Sequence, residues 1–190
     1  MIIVLLGLIG AGKGTQAKML VDSNDFLHIS TGDMFRDAVN NQTKLGKSVE
    51  GYMNDGALVP DEITIKMLLE RLDTNQSSNN LLLDGFPRTT TQCDALDNAF
   101  MTKGLAIDSA LNIVVDESIL LARIAKRASI ENRKDDVPEI AKQRLENQRT
   151  TLNEVAHYYR KQDKLLEVDG LGSVEEIHQR VLSLLEKKGL

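Results

Sequence analysis

Nine residues near the amino terminus, Gly7-Leu8-Ile9-Gly10-Ala11-Gly12-Lys13-Gly14-Thr15, are of the types that hold a phosphate chain. Glycines let backbone N–H groups converge on phosphate oxygens, a following helix adds its favourable dipole, and a lysine supplies a point charge. Gly10, Ala11, Gly12 and Gly14 would form the cradle, Lys13 would reach the transferring group, and Thr15 would serve Mg2+ directly or through water. The bland alternative is a glycine-rich turn with an incidental lysine. Context argues against it, because an apolar run precedes the loop and helix formers follow it. Gly14, standing between the lysine and the hydroxyl residue, departs from the usual order. Downstream, Arg36, Arg88, Arg123, Arg127, Arg133 and Arg144 offer planar, bidentate cations suited to gripping phosphates. Any one of them alone reads as a solvated surface residue. Arg88 differs because Pro87 fixes it behind a strand end, and the last four crowd into one stretch. Asp84, ending an apolar run, is a candidate outer-sphere partner for Mg2+, with Asp33 as a weaker second.

The elements that must position these groups follow from the apolar pattern. Ile2 to Leu6 is continuously apolar, as expected of a parallel strand buried on both faces. Further strands are expected at Leu27 to Ile29, Leu81 to Leu83, Ala110 to Val115 and Leu165 to Val168. Helices are expected from Lys13 to Val21, from a Ser30 or Thr31 cap to about Val39, from Leu45 to Asn54, and onward from Pro60-Asp61-Glu62. Others should cover Thr89 to Lys103, the segment capped by Asp116, Pro138 to Lys161, and Glu175 to Lys187. Asn75 to Asn80 reads as polar loop. This alternation implies an α/β architecture: a five-stranded parallel sheet flanked by helices in three layers, with ligand loops at the carboxyl ends of the strands.

The order of motifs is similar to that of the adenylate kinase family. Gly-x-x-Gly-x-Gly-Lys-Gly-Thr with Gln16 resembles that family's form of the P-loop. Ser30-Thr31-Gly32-Asp33 with Arg36, Asp84-Gly85-Phe86-Pro87-Arg88 with Gln92, Arg133-Lys134-Asp135-Asp136 with Arg144, and Val168-Asp169-Gly170 follow in the family's order across essentially the whole chain. Leu8-Ile9 stands where the family commonly has Ala-Pro. The resemblance implies that Arg36 and Arg88 contact the AMP phosphate, that Arg127, Arg133 and Arg144 contact ATP and the transferred group, and that Arg123 stacks over the ATP adenine. Lys13, Arg88, Arg133 and Arg144 would then be the catalytic set. Gly170 and Gly172 would join the ATP site, while Thr31, Gly85 and Gln92 with Gly56, Ala57, Leu58 and Val59 would line the AMP pocket. In the related uridylate and cytidylate kinases the Thr31 and Gln92 positions are usually Ala and Asn, so this sequence sides with AMP.

His28, His157 and His178 fall in no motif and read as structural or surface residues. Their absence from the motifs suits the chemistry, since a monophosphate with a second pKa of about 6 is already mostly ionised and needs no general base. The resemblance further implies one domain spanning 1–190, with a helical acceptor flap at 30–73 and a short lid loop at 128–137. Only five residues separate Arg127 from Arg133, too few for a separate lid subdomain, and the cysteines of a zinc-binding lid are missing. Mg2+ and no zinc is therefore the expected metal use. The expected partners are ATP, AMP and ADP.

Bulk properties narrow the alternatives. The 190 residues carry a formal net charge of −5, 42% hydrophobic and 27% charged residues, and a sequence pI near 5.3. Such a surface repels polynucleotides. Cys93 is the single cysteine, so an internal disulfide is impossible and a reducing, cytoplasmic setting is expected. Met1 to Leu6 is too short for a leader, and no stretch is long enough to span a membrane. A monomer is expected from the resemblance. Two other readings stay open on sequence alone: a UMP or CMP kinase with the same mechanism, and a regulatory protein that closes on nucleotide without transferring anything.

Overall fold

The structure, a computed structural model, describes residues 1–23, 26–74, 80–131 and 134–189. Five strands, β1 (Ile2–Leu6), β2 (Leu27–Ser30), β3 (Leu81–Asp84), β4 (Ser109–Val114) and β5 (Leu165–Asp169), form one sheet in the order β2-β3-β1-β4-β5. Every pairing is parallel, with Val4 opposite both Leu83 and Ala110. Eight helices accompany them among the described residues: α1 (Lys13–Ser23), α2 (Thr31–Asn40), α3 (Lys44–Asn54), α4 (Asp61–Thr74), α5 (Thr90–Thr102), α6 (Glu117–Glu131), α7 (Pro138–Lys161) and α8 (Val174–Lys187).

The central strand is apolar throughout because both its faces are covered. Ile3 and Leu5 enter a cluster with Ala17 and Leu20 of α1, Leu120 and Ile124 of α6, and Val181 and Leu185 of α8. Ile2, Val4 and Leu6 point the other way, into a cluster with Leu68 of α4, Leu96 and Phe100 of α5, and Val155 and Tyr159 of α7. The two clusters clamp β1 and thereby fix the loop that leaves it. A third, smaller cluster of Phe35, Val49, Val59 and Met67 joins α2, α3 and α4 away from the sheet. There Gly46 allows α3 to press against α2, since a Cβ at that position would lie 2.0 Å from the Ala38 carbonyl oxygen.

Helix starts follow local chemistry. The Ser30 hydroxyl accepts from the Asp33 N–H, Thr43 from Gly46 and Thr89 from Gln92, while Ser173 and Glu176 form a capping box. Pro138 occupies the first turn of α7, where its missing N–H costs nothing. Most expected boundaries shift by no more than two residues. The clearest correction concerns the lid segment: 128–131 is the last turn of α6 rather than loop. Ala128-Ser129-Ile130-Glu131 contains no glycine or proline, so nothing stops the helix there. A single helical turn at Lys134–Asp136, unforeseen in the sequence, then leads into α7. The expected loop at Asn75 to Asn80 lies outside the described residues except for Asn80.

Candidate active site

The carboxyl ends of all five parallel strands lie along one edge of the sheet, so the loops that follow them converge there. They border a cleft of about 920 Å³, lined by Gly10 to Thr15, Arg36, Asp84, Gly85, Arg88, Arg123, Arg127, Arg144 and Gly172. The loop after β1 turns through Gly10 and Gly12 at φ 79° and 99°, values that disfavour any residue with a Cβ. Nothing lies within 4 Å of the place where a Gly12 Cβ would sit, so the backbone there is open to a ligand.

Lys13 folds over this loop, its Nζ donating to the carbonyls of Gly7 and Leu8 at 2.8 and 3.1 Å. Removal from water lowers its pKa to about 8; Asp84 opposes that shift, while Arg88, Arg127 and Arg144 add to it. A bound anion would relieve this crowding of like charges. Asp84, at the end of β3, has its Oδ2 3.6 Å from His28 Nε2. Burial works to raise its pKa, but His28, Lys13 and Arg88 together hold the carboxyl below its ordinary value. This anionic carboxylate beside Gly14, 3.8 Å from the place where a Cβ would stand, and the Thr15 hydroxyl are oxygen groups of the kind that would hold a hydrated divalent cation.

Three of the arginines, from α6, α7 and α2, meet aspartates. Arg127 of α6 grips Asp136 with two bonds of 2.6 and 2.8 Å. Arg144 of α7 donates to Asp135 Oδ2 at 2.8 Å and Asp136 Oδ1 at 3.1 Å. Arg36 of α2 reaches Asp33 at 2.5 Å and approaches Asp135 at 3.6 Å. Asp33 is thus engaged with Arg36 rather than facing a metal alone. Arg88, following β3 and a cis Phe86–Pro87 peptide, is held by Nε to the Gly85 carbonyl at 2.7 Å. Burial and the neighbouring Arg144 lower its pKa to about 10, against the pull of Asp84; it remains cationic at neutral pH. Arg123 donates to the Gly170 carbonyl at 2.8 Å and to the Ala11 carbonyl at 3.5 Å, tying the turn after β5 to the phosphate loop. Arg133 lies outside the described residues.

A smaller hollow adjoins the cleft, bounded by Thr31, Ala57, Leu58, Val59 and Gln92 and sharing Gly85 and Arg88 with it. Its volume is about 70 Å³, small beside the 920 Å³ of the cleft. Thr31 and Gln92 are each 2% exposed. The Asn147 amide of α7 donates to the Gly56 carbonyl at 3.3 Å, tying the turn between α3 and α4 to α7.

Three residues that border the site were given no place in it by the sequence. His28, expected to be structural or at the surface, lines the cleft beside Asp84. Gln148 sits between the cleft and the hollow, accepting the Ile9 N–H at 3.2 Å; a proline at position 9 would have no such hydrogen to give. Asp61, read only as a helix opener, accepts from Gln92 and Thr89.

A parallel sheet whose first strand runs through a glycine-rich loop and a lysine into a helix defines a P-loop nucleotide-binding fold. A family model described as adenylate kinase matches residues 5–164. An adenylate kinase of Cyanothece sp. (strain PCC 7425 / ATCC 29141) is 41% identical over 185 residues, covering 97% of this chain and 95% of the relative. One from Thermobifida fusca (strain YX) is 41% identical over 186 residues, covering 98% of each. One from Azorhizobium caulinodans is 43% identical over 190 residues, covering 97% of this chain and 98% of the relative. The chain belongs to the adenylate kinase family.

Proposed function

We propose that the chain catalyses reversible phosphoryl transfer from MgATP to AMP, yielding two ADP. The observation that carries this reading is the convergence on one cleft of Lys13 with Arg36, Arg88, Arg127 and Arg144, cations from separate elements facing the open phosphate loop. In such a transfer there is little covalent work for the protein; alignment and charge stabilisation set the rate. Lys13 and the loop amides hold the donor phosphates, with Arg123 and the Gly170–Gly172 turn against the donor base. Arg36 and Arg88 hold the acceptor phosphate, while Thr31 and Gln92 face the acceptor base among Ala57, Leu58 and Val59. Arg127 and Arg144 exchange their aspartate partners for phosphate oxygens as nucleotides enter. Arg133 is assigned to the transferred group on the resemblance alone.

Thr15 and Asp84 would hold Mg2+, Asp84 through water, and the ion when bound neutralises charge between the outer phosphates. The small volume of the acceptor hollow supports a flap at 30–73 that opens for AMP and closes again, keeping water from the phosphoryl group. The 128–137 segment, its first four residues being the end of α6, serves as the short lid. The protein works as a cytoplasmic monomer. No described helix is long and apolar enough to cross a membrane. The test is to supply purified protein with Mg2+ and ADP alone and follow products by chromatography. Equal appearance of ATP and AMP is expected. No conversion, or faster phosphorylation of CMP or UMP than of AMP by ATP, would overturn the reading.

A further inference from the structure

At the acceptor hollow, the side-chain amide of Gln92 is held from both ends. Its Nε2 donates to Asp61 Oδ1 at 2.7 Å, and its Oε1 accepts the Arg88 backbone N–H at 2.7 Å. Asp61 is itself fixed, because its other oxygen accepts from the Thr89 hydroxyl at 2.8 Å, and Thr89 is the N-cap of the helix that carries Gln92. Each of these bonds uses one valence of the amide. One lone pair on Oε1 and one hydrogen on Nε2 remain for a ligand.

An unrestrained glutamine amide can turn over and exchange its donor and acceptor ends. Here a turned amide would set Oε1 against the Asp61 oxygen and Nε2 against the Arg88 N–H, two repulsive contacts replacing two bonds in a site that is 2% exposed. The orientation is therefore imposed by Asp61 from α4 and by the backbone after β3. That matters for a purine. Adenine offers a donor at N6 beside an acceptor at N1, whereas hypoxanthine offers an acceptor at O6 beside a donor at N1. The two edges are complementary to opposite orientations of one amide.

We infer that Asp61 is a positioning residue that makes the acceptor site selective for adenine over hypoxanthine by locking the Gln92 amide in one orientation. The inference rests on the proposed reading of this hollow as the site of the acceptor base. Asp61 acts through Gln92 and takes no part in the transfer.

The experiment compares kcat/KM for AMP and for inosine monophosphate at saturating MgATP. The set is the unaltered protein, Asp61→Leu, Asp61→Asn, Gln92→Leu and the Asp61→Leu/Gln92→Leu double variant, with Asp61→Ala in reserve should Asp61→Leu not fold. Asp61→Leu is expected to reduce the AMP-to-inosine ratio by about tenfold or more, the scale of one hydrogen-bonded contact turned unfavourable, without changing KM for ATP. Asp61→Asn, whose amide oxygen still accepts from Gln92, should recover most of the ratio. In the Gln92→Leu background, Asp61→Leu should change the ratio less than about twofold, because the group it orients is gone. A ratio unmoved by Asp61→Leu, or moved equally without Gln92, overturns the inference, as does loss of the ratio in Asp61→Asn equal to that in Asp61→Leu. Absence of AMP turnover in the unaltered protein would instead strike at the proposed function, so the two failures are distinguishable.

Discussion

The phosphate loop and the acceptor flap sit at opposite ends of a range of packing. The loop leaves β1, a strand buried on both faces between two large apolar clusters. The α2–α4 segment is held by a small cluster of four buried residues, by the close approach at Gly46, and by polar ties such as Asn147 to Gly56. A loop seated on a doubly covered strand cannot shift without disturbing the core, whereas a segment with few buried contacts can open at small cost. On the proposed reading, the difference would place preorganised charge on the donor side and motion on the acceptor side.

The largest effects should come from the cations. Lys13→Met and Arg88→Ala are each expected to lower kcat by roughly a hundredfold to a thousandfold or more, the range for losing a group aimed at developing charge, while thermal unfolding stays near that of the unaltered protein. Near-normal turnover in either variant would remove the role given to that residue's side of the cleft. Next in size, Leu82→Ala on the sheet, where the side chain is 0% exposed, should cost about 2–5 kcal/mol of global stability by denaturant unfolding.

Gly46→Ala sharpens the contrast. Helix propensity alone would favour alanine by about 1 kcal/mol. The new Cβ, 2.0 Å from a backbone oxygen, should outweigh that gain with an overpacking cost of about 1–3 kcal/mol. The loss should be confined to the flap: faster hydrogen exchange in α2 and α3 and a raised KM for AMP, with exchange in β1 unchanged. Equal acceleration in the sheet would show that flap and sheet form one unit.

Proton uptake gives a smaller effect with a definite sign. With the Lys13 pKa lowered to about 8, kcat/KM for MgATP, which reports the free protein, should fall as pH rises through about 8. The fall in kcat should come at higher pH, because bound phosphates favour the charged amine. Between about 8 and the ordinary 10.5, the unfolded chain holds a proton that the folded one has released, so this group makes the ligand-free fold more stable as pH rises. The smallest change is expected at Cys93 of α5, which exclusion of water, with Asp97 and Asp94, pushes up to about 12 despite a hydrogen bond with Tyr159. Iodoacetamide at pH 8 should leave it unlabelled even during turnover; labelling only during turnover would mean that the sheet core opens along with the flap.

The same contrast governs what could be read in advance. The β1–loop–α1 unit was legible because its signals are local: an apolar run, glycines at fixed spacing, and helix formers after Lys13. The helix at Pro138–Lys161 was legible for a similar reason, a proline start and a long uninterrupted pattern. The Asp61–Gln92 and Ile9–Gln148 bonds were not, because each joins residues far apart in sequence through a fold that must already exist. Nor was the extension of α6 to Glu131, since the segment was assigned by its distance from Arg133 rather than by its own helix-forming composition. The pairing of Arg127 and Arg144 with Asp135 and Asp136 could be suspected from proximity in the chain, but its bidentate geometry depends on the turn at Lys134–Asp136.

Donor and acceptor sites that share one cleft should accept a single ligand spanning both. Calorimetric titration with diadenosine pentaphosphate and Mg2+ tests this most directly. One molecule bound per chain, with affinity at least tenfold above that for ATP or AMP alone, is the predicted result. Binding no tighter than ATP, or two molecules per chain, would contradict the account.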